Sequence, residues 1–258
     1  MGRKDSKSSR TSRKRDDDSW GDGWEELCQP SALPPATVAL HAGLPPIIPP
    51  GTELDISAAD ALPTEAEVHV LREDGLSPTM ISTANFLSAA ECAAWIVWGE
   101  AAPFQLEKHA QTAHIAHRDN GRLALLSAEV ADALLERLRP WAPAQLGRRK
   151  LVACNPNVRL YKYGPGQRFG RHVDQSNRLA DGSLTEFTLL VYLNDAGLEG
   201  GETCFYAGHG AAAAEVARIT PRAGASLVHA HGARCLTHEG EAVRGGVKYL
   251  LRSDLAYG

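Results

Sequence analysis

Val158-Arg-Leu-Tyr-Lys-Tyr-Gly-Pro-Gly-Gln-Arg-Phe-Gly-Arg-His172-Val173-Asp174 is the stretch on which the reading of this 258-residue chain turns. Its first part, Asn157–Tyr163, is a β-branched and aromatic run that ends at the turn residues Gly164-Pro165-Gly166. If His172 to Asp174 is extended, the two-residue period of a strand puts both side chains on one face. An imidazole nitrogen and a carboxylate oxygen can then meet one metal ion.

A His-x-Asp pair alone is weak evidence in a chain with ten histidines, and His117-Arg118-Asp119 is a second one. That pair lies in Ala116–Arg122, read as a polar turn with no apolar strand around it, so its side chains have no defined common face. A third ligand would complete the set. Two histidines and one carboxylate occupy one face of an octahedral ion and leave positions open, the arrangement of non-haem Fe(II) oxygenases. His229, His231 and His238 all follow downstream. His238 is singled out by Lys248, ten residues further on, in a run with Val247, Tyr249, Leu250 and Leu251. A lysine pointing inward from such a strand requires an anion or a shifted pKa. The alternative is that Lys248 and Arg252 line the solvated face of an edge strand.

Outward from this centre, the Ser88-x-x-Glu91 spacing of a capping box predicts a helix carrying Trp95, Ile96 and Trp98. A second helix over about 127–138 would bury Val130, Leu134, Leu135 and Leu138. Further strands are expected at Glu186–Leu193, Glu202–Tyr206, Ala225–His229 and Val247–Arg252. Two helices leading into a succession of short strands predict a mainly β chain with flanking helices (α+β), an antiparallel double sheet with the helices on one side.

The composition, 43% hydrophobic and 22% charged, is that of a chain with a sizeable core and excludes a disulfide-stapled miniprotein or a collagen-like repeat. The formal charge of −4 hides an asymmetry. Residues 1–15 hold seven Lys/Arg against one Asp, so the other 243 residues hold 20 basic against 30 acidic. No stable nucleic-acid binding is expected of so acidic a body. Five scattered cysteines without a CxxC pair suggest neither a disulfide framework nor a zinc ribbon, and fit a reducing compartment. No signal peptide or transmembrane stretch is visible, so a cytoplasmic or nuclear location with no membrane partner is expected. Residues 1–23 read as a disordered basic tail, in which Arg13-Lys14-Arg15 has the look of a nuclear-import signal and Gly2 with Ser6 formally matches a myristoylation pattern. Residues 24–78, rich in Pro and Ala, read as a linker or irregular wrap, leaving 79–258 as the organised domain.

The run Tyr163-Gly-Pro-Gly-Gln, His172-x-Asp174, Tyr192-Leu193-Asn194, Gly200-Gly201-Glu202-Thr203-x-Phe205 and His238-Glu-Gly with Gly246-x-Lys248-Tyr resembles the catalytic domain of prolyl 4-hydroxylase-type 2-oxoglutarate- and Fe(II)-dependent dioxygenases over roughly 79–258. The resemblance implies a double-stranded β-helix (jelly-roll) core and Fe(II) held by His172, Asp174 and His238. It also implies that Lys248 grips the distal carboxylate of 2-oxoglutarate, with Tyr163, Tyr192 and Thr203 beside the cosubstrate. The implied reaction uses O2 to hydroxylate a residue, prolyl first, of an intracellular protein or peptide, releasing succinate and CO2, with L-ascorbate as reductant. The same fold also serves small molecules, alkylated nucleic acid and inactive binding modules. A nucleic-acid demethylase of this kind would be expected to carry an arginine at position 248 and a basic groove. The loops Gln175–Leu184 and His209–Val216 are expected at the mouth of the site.

Overall fold

The structure is a computed structural model that describes residues 36–39, 44–54, 65–72, 78–112, 115–207 and 213–258; within these, only the backbone is described at 36–39, 65–72 and 78. The tail at 1–23 with its targeting patterns, Cys28, and His209 lie outside the described residues.

The chain opens with strands β1 (Ala36–Ala39), β2 (Glu65–Arg72) and β3 (Pro78–Thr83). Helix α1 (Ala89–Glu100) follows, then β4 (Gln105–His109), β5 (Arg118–Leu126) and helix α2 (Ala128–Leu138). Next come β6 (Gln145–Leu146), β7 (Arg149–Cys154), β8 (Asn157–Tyr163), β9 (Phe169–His172) and β10 (Leu184–Tyr192). The chain continues with β11 (Glu199–Gly200), β12 (Thr203–Ala207), β13 (Ala214–Ile219) and β14 (Ser226–Ala230). It closes with β15 (Thr237–Gly240), β16 (Val243–Gly245) and β17 (Lys248–Tyr257).

One continuous sheet runs β1-β2-β3-β14-β10-β17-β8-β5-β9-β15-β12-β13, and all its pairings are antiparallel. The sheet curls so that β9, β15 and β12 face β14, β10, β17 and β8 across a shared interior. This is the jelly-roll core of the predicted class. The described parts of 24–78 depart from an irregular wrap: β2 pairs with β3, which pairs with β14. The 116–122 segment is no turn either, because Arg118–Leu126 is held between β4 and β8. Of the expected mouth loop 209–216, Ala214 to Val216 belong to β13, paired with β12.

Central strands bury both faces, and the two-residue period sorts them. On β10, Phe187, Leu189 and Val191 join the core under the helices, whereas Leu190 and Tyr192 join the interior cluster with Tyr161, Phe205 and Leu250. Helix α1 starts at Ser88, whose hydroxyl accepts from Glu91 N–H while the Glu91 carboxylate accepts from Ser88 N–H, the expected capping box. Helix α2 is capped by Ser127 and buries Val130, Leu134, Leu135 and Leu138 as its spacing predicts. The two helices are joined by a fully buried ion pair. The Arg137 guanidinium donates to both Glu91 oxygens, at 2.9 and 2.5 Å, and also to the carbonyls of Phe86 and Pro45. Glu91 further accepts from Ile47 N–H, so the pair ties the Leu44–Ile48 strap to both helices.

Candidate active site

His172 ends β9 and His238 sits on β15, directly across the ladder from it. The register brings the two rings to 4.2 Å between centroids. Each Nδ1 lies against a carbonyl two residues earlier, Gly170 O at 2.8 Å and Leu236 O at 2.9 Å. A carbonyl only accepts, so Nδ1 carries the proton in both rings and each Nε2 offers its lone pair to the interior. Asp174, two residues past His172, is held by its own backbone: its N–H donates to Cys235 Sγ and its carbonyl accepts from Gly232 N–H. Asp174 Oδ1 is 3.5 Å from His172 Nε2, and Oδ2 is 4.0 Å from His238 Nε2. One ligand atom from each of the three residues lies within 4.8 Å of the others.

The electrostatics suit a divalent cation. Burial would raise the Asp174 carboxyl, but the Arg252 guanidinium, His172 and the other nearby imidazoles outweigh it and hold it well below the ordinary range. Burial, helped by the neighbouring His172, lowers His238 to about 3, so its ring stays neutral and ligating. The three residues fit a 2-His-1-carboxylate ion with positions left open toward the cavity.

That cavity is lined by the three residues and, at its other end, by Lys248, Thr203 and Tyr163. Lys248 is 3% exposed. Its ammonium donates to the Gly201 carbonyl at 2.6 Å, and no carboxylate among the described residues forms an ion pair with it. Gly201 has φ +73, and a Cβ there would stand 3.1 Å from Lys248 Cδ, so the backbone can approach the lysine this closely only without a side chain. Burial lowers Lys248 to about 8. A buried cation without a counter-anion, in the same cavity as a metal-ligand cluster, fits the distal carboxylate of a dicarboxylate. Tyr192 lies behind this wall, fully buried, with its hydroxyl 2.8 Å from Thr203 Oγ1. It therefore orients Thr203, which itself faces the cavity.

The rival histidines separate clearly. His231 is satisfied on both nitrogens, by Thr188 Oγ1 at 2.8 Å and by Thr185. His229 lines the cavity and forms a further group of close ligand atoms with Cys235 and His238, though not with Asp174. The His117–Asp119 pair does meet, at 3.2 Å, but Asp119 also accepts from Arg168 N–H, and the pair belongs to no three-residue ligand cluster among the described residues. Cys204, Glu215 and Glu241 form another cluster, yet Arg218 already bonds both carboxylates.

Two contributors escaped the sequence reading. The Thr188 hydroxyl donates to Asp174 Oδ2 at 2.6 Å, and Arg252 Nη2 donates to the same oxygen at 2.9 Å. Arg252 is not on an edge strand, because β17 lies between β10 and β8.

The fold is a jelly roll, and this cluster is a candidate metal site within it. Residues 158–253 match the family described as the 2OG-Fe(II) oxygenase superfamily. A prolyl hydroxylase from Trichoplax adhaerens, solved with a hypoxia inducible factor peptide fragment, shares the fold at a TM-score of 0.50 and 17% identity, over 69% of this chain and 83% of that one. The viral collagen prolyl hydroxylase of Paramecium Bursaria Chlorella virus-1, solved with 2OG, aligns at a TM-score of 0.48 and 20% identity, over 69% and 96%. A prolyl-4-hydroxylase of Pseudomonas putida aligns at 0.45 and 23%, over 69% and 92%. No curated protein sequence matches the chain. Among the described residues no helix is long and apolar enough to cross a membrane.

Proposed function

We propose that the chain is a 2-oxoglutarate- and Fe(II)-dependent dioxygenase that hydroxylates a residue, prolyl first, of a protein or peptide substrate, with release of succinate and CO2. The observation that carries this is a single cavity with His172, Asp174 and His238 at one end and, at the other, Lys248, which has no carboxylate ion-pair partner among the described residues. His172 Nε2, Asp174 Oδ1 and His238 Nε2 would hold Fe(II). With 2-oxoglutarate bound, the ion supplies oxidative decarboxylation of the cosubstrate and insertion of an oxygen atom into a substrate C–H bond.

The chain's own residues bind, orient and exclude water. Lys248 meets the distal carboxylate with a charge-assisted hydrogen bond, the Thr203 hydroxyl is held beside it by Tyr192, and Tyr163 closes the wall. Leu190, Leu250 and Tyr161 line the middle of the cavity and keep that stretch apolar, which strengthens the charge contacts at either end. Arg252 and Thr188 hold Asp174 Oδ2, leaving Oδ1 on the His172 side. L-Ascorbate is proposed as the reductant that restores oxidised iron. The prolyl assignment rests on the resemblance of residues 79–258 to prolyl 4-hydroxylase-type enzymes.

The test is mass spectrometry of a peptide extract incubated with the protein, Fe(II) and 2-oxoglutarate. A proline-containing peptide gaining one oxygen atom, only with 2-oxoglutarate present, supports the reading. A gain confined to other residues, nucleobases or small molecules overturns the prolyl assignment.

A further inference from the structure

His229 is 3% exposed near the end of β14, with Thr188 and Met80 as its partners on the neighbouring strands. Its ring packs against Phe205 and lies 4.4 Å, centroid to centroid, from that of His238. Among the described residues neither ring nitrogen has a hydrogen-bond partner. The nearest acceptor, Asp174 Oδ2, is 3.9 Å from Nε2, beyond bonding reach, and already accepts from Thr188 and Arg252. His231, two residues further on and just past the end of β14, is equally buried and shows the ordinary outcome, with both nitrogens bonded. Leaving a buried N–H unmade is costly, and native structures avoid it unless something absent from the protein fills the gap.

The position of the orphan ring says what fills it. His229 lies in the register row of Thr188 and Asp254, at the Asp174 end of the cavity, whereas Lys248 lies at the opposite end of β17. The cluster of close ligand atoms that includes Asp174 contains His172 and His238, whereas His229 groups with Cys235 and His238, a set without a carboxylate. A neutral imidazole there faces whatever anionic oxygen sits against the metal from the cavity side. We infer that His229 is a cosubstrate-binding residue that donates a ring N–H to the metal-proximal carboxylate of a 2-oxo acid. This rests on the oxygenase reading above. It assigns the two ends of the dicarboxylate to different side chains, His229 to the 1-carboxylate and Lys248 to the distal one.

The test is calorimetric titration of the Mn2+-loaded protein, without oxygen, with 2-oxoglutarate and with oxalate, which has no distal carboxylate. His229→Phe keeps the ring volume and removes the N–H. It is expected to weaken both ligands by roughly tenfold or more, with Mn2+ affinity unchanged. Lys248→Met is expected to weaken 2-oxoglutarate and leave oxalate as in the wild type. His229→Leu, measured the same way, serves if the Phe variant does not fold. Wild-type affinity for both ligands in the His229 variant overturns the inference and leaves the oxygenase reading standing. A fall in Mn2+ affinity makes His229 a metal ligand and overturns it as well. If the wild-type protein binds neither ligand, the oxygenase reading itself falls and takes the inference with it.

Discussion

The Arg252 guanidinium donates through Nη2 to Asp174 Oδ2 at 2.9 Å, which commits one oxygen of that carboxylate to the protein and leaves Oδ1 on the His172 side. The Thr188 hydroxyl donates to the same Oδ2 and therefore accepts from His231 Nε2–H, while His231 Nδ1 lies against Thr185, whose hydroxyl accepts from Asn177 N–H. The donors run in one direction to the carboxylate. Partners that orient a metal ligand are worth about 10–100-fold in metal affinity. Arg252→Met is therefore expected to weaken Fe(II) or Mn(II) binding by that order, with a smaller change in 2-oxoglutarate affinity once metal is saturating. Calorimetry of each ligand separates the two. Loss of 2-oxoglutarate affinity alone would make Arg252, and not Lys248, the cosubstrate anchor.

With Lys248 as the proposed anchor of the distal carboxylate, 2-oxoglutarate binding is expected to depend on pH. Burial lowers its pKa from 10.5 to about 8 in the empty site, and the arriving carboxylate raises it again. Above pH 8 the lysine is neutral before binding and charged after it, so binding takes up a proton and affinity falls about tenfold per pH unit. For folding the sign is that of a depressed folded-state pKa: the contribution is intact above 10.5 and is lost as pH falls toward 8. Titrations at pH 9 in two buffers of different ionisation enthalpy measure the proton directly. Identical apparent enthalpies would contradict the assignment.

Acid is expected to destabilise the metal-free protein earlier than carboxylate titration would. Burial, then the neighbouring His172, lowers His238 to about 3, while burial also lowers His229 and His231. These rings are neutral in the fold and protonate near 6.5 in the unfolded chain. Stability is thus full above 6.5 and falls as pH drops toward the folded values, by about 1.4 kcal/mol per pH unit for His238 alone. The melting temperature followed from pH 7 to pH 4.5 should decline steadily, and His238→Phe should flatten the slope. A flat wild-type profile would contradict the buried, neutral state of these rings.

The Glu91–Arg137 pair is wholly buried, with both side chains at 0% exposure. Removing one member strands a buried charge, so Arg137→Met is expected to cost about 3–5 kcal/mol, whereas Glu91→Gln combined with Arg137→Met should cost much less than two such losses. Urea unfolding of the single and double variants measures the coupling. Additive losses would mean that the two residues act independently.

How much of this was legible in the sequence depended on whether a residue's surroundings were local. The capping box at Ser88, the face of α2 and the strand Asn157–Tyr163 are written in short-range patterns, and the structure has them there. Arg118–Leu126 was hidden because Asp119, Asn120 and Gly121 break its apolar alternation. It is a strand because β4 and β8 supply the pairing from either side. Arg252 and Thr188 were hidden for a related reason. A strand buried on both faces, with one face lining a polar site, shows the same alternation as a strand with one face in water. On β17, Lys248 and Arg252 look like a solvated face until β8 and β10 are known to flank them. His172, Asp174, His238 and Lys248 were readable together because their types and order, not their surroundings, carry the pattern.

The most direct test of the central claim is conversion of 2-oxoglutarate to succinate by the purified protein supplied with Fe(II) and air, without any added substrate. The wild-type chain should form succinate slowly and in strict dependence on Fe(II), and His172→Ala and His238→Ala should each abolish it. Undiminished succinate formation in either variant would contradict the assignment of these residues to the metal.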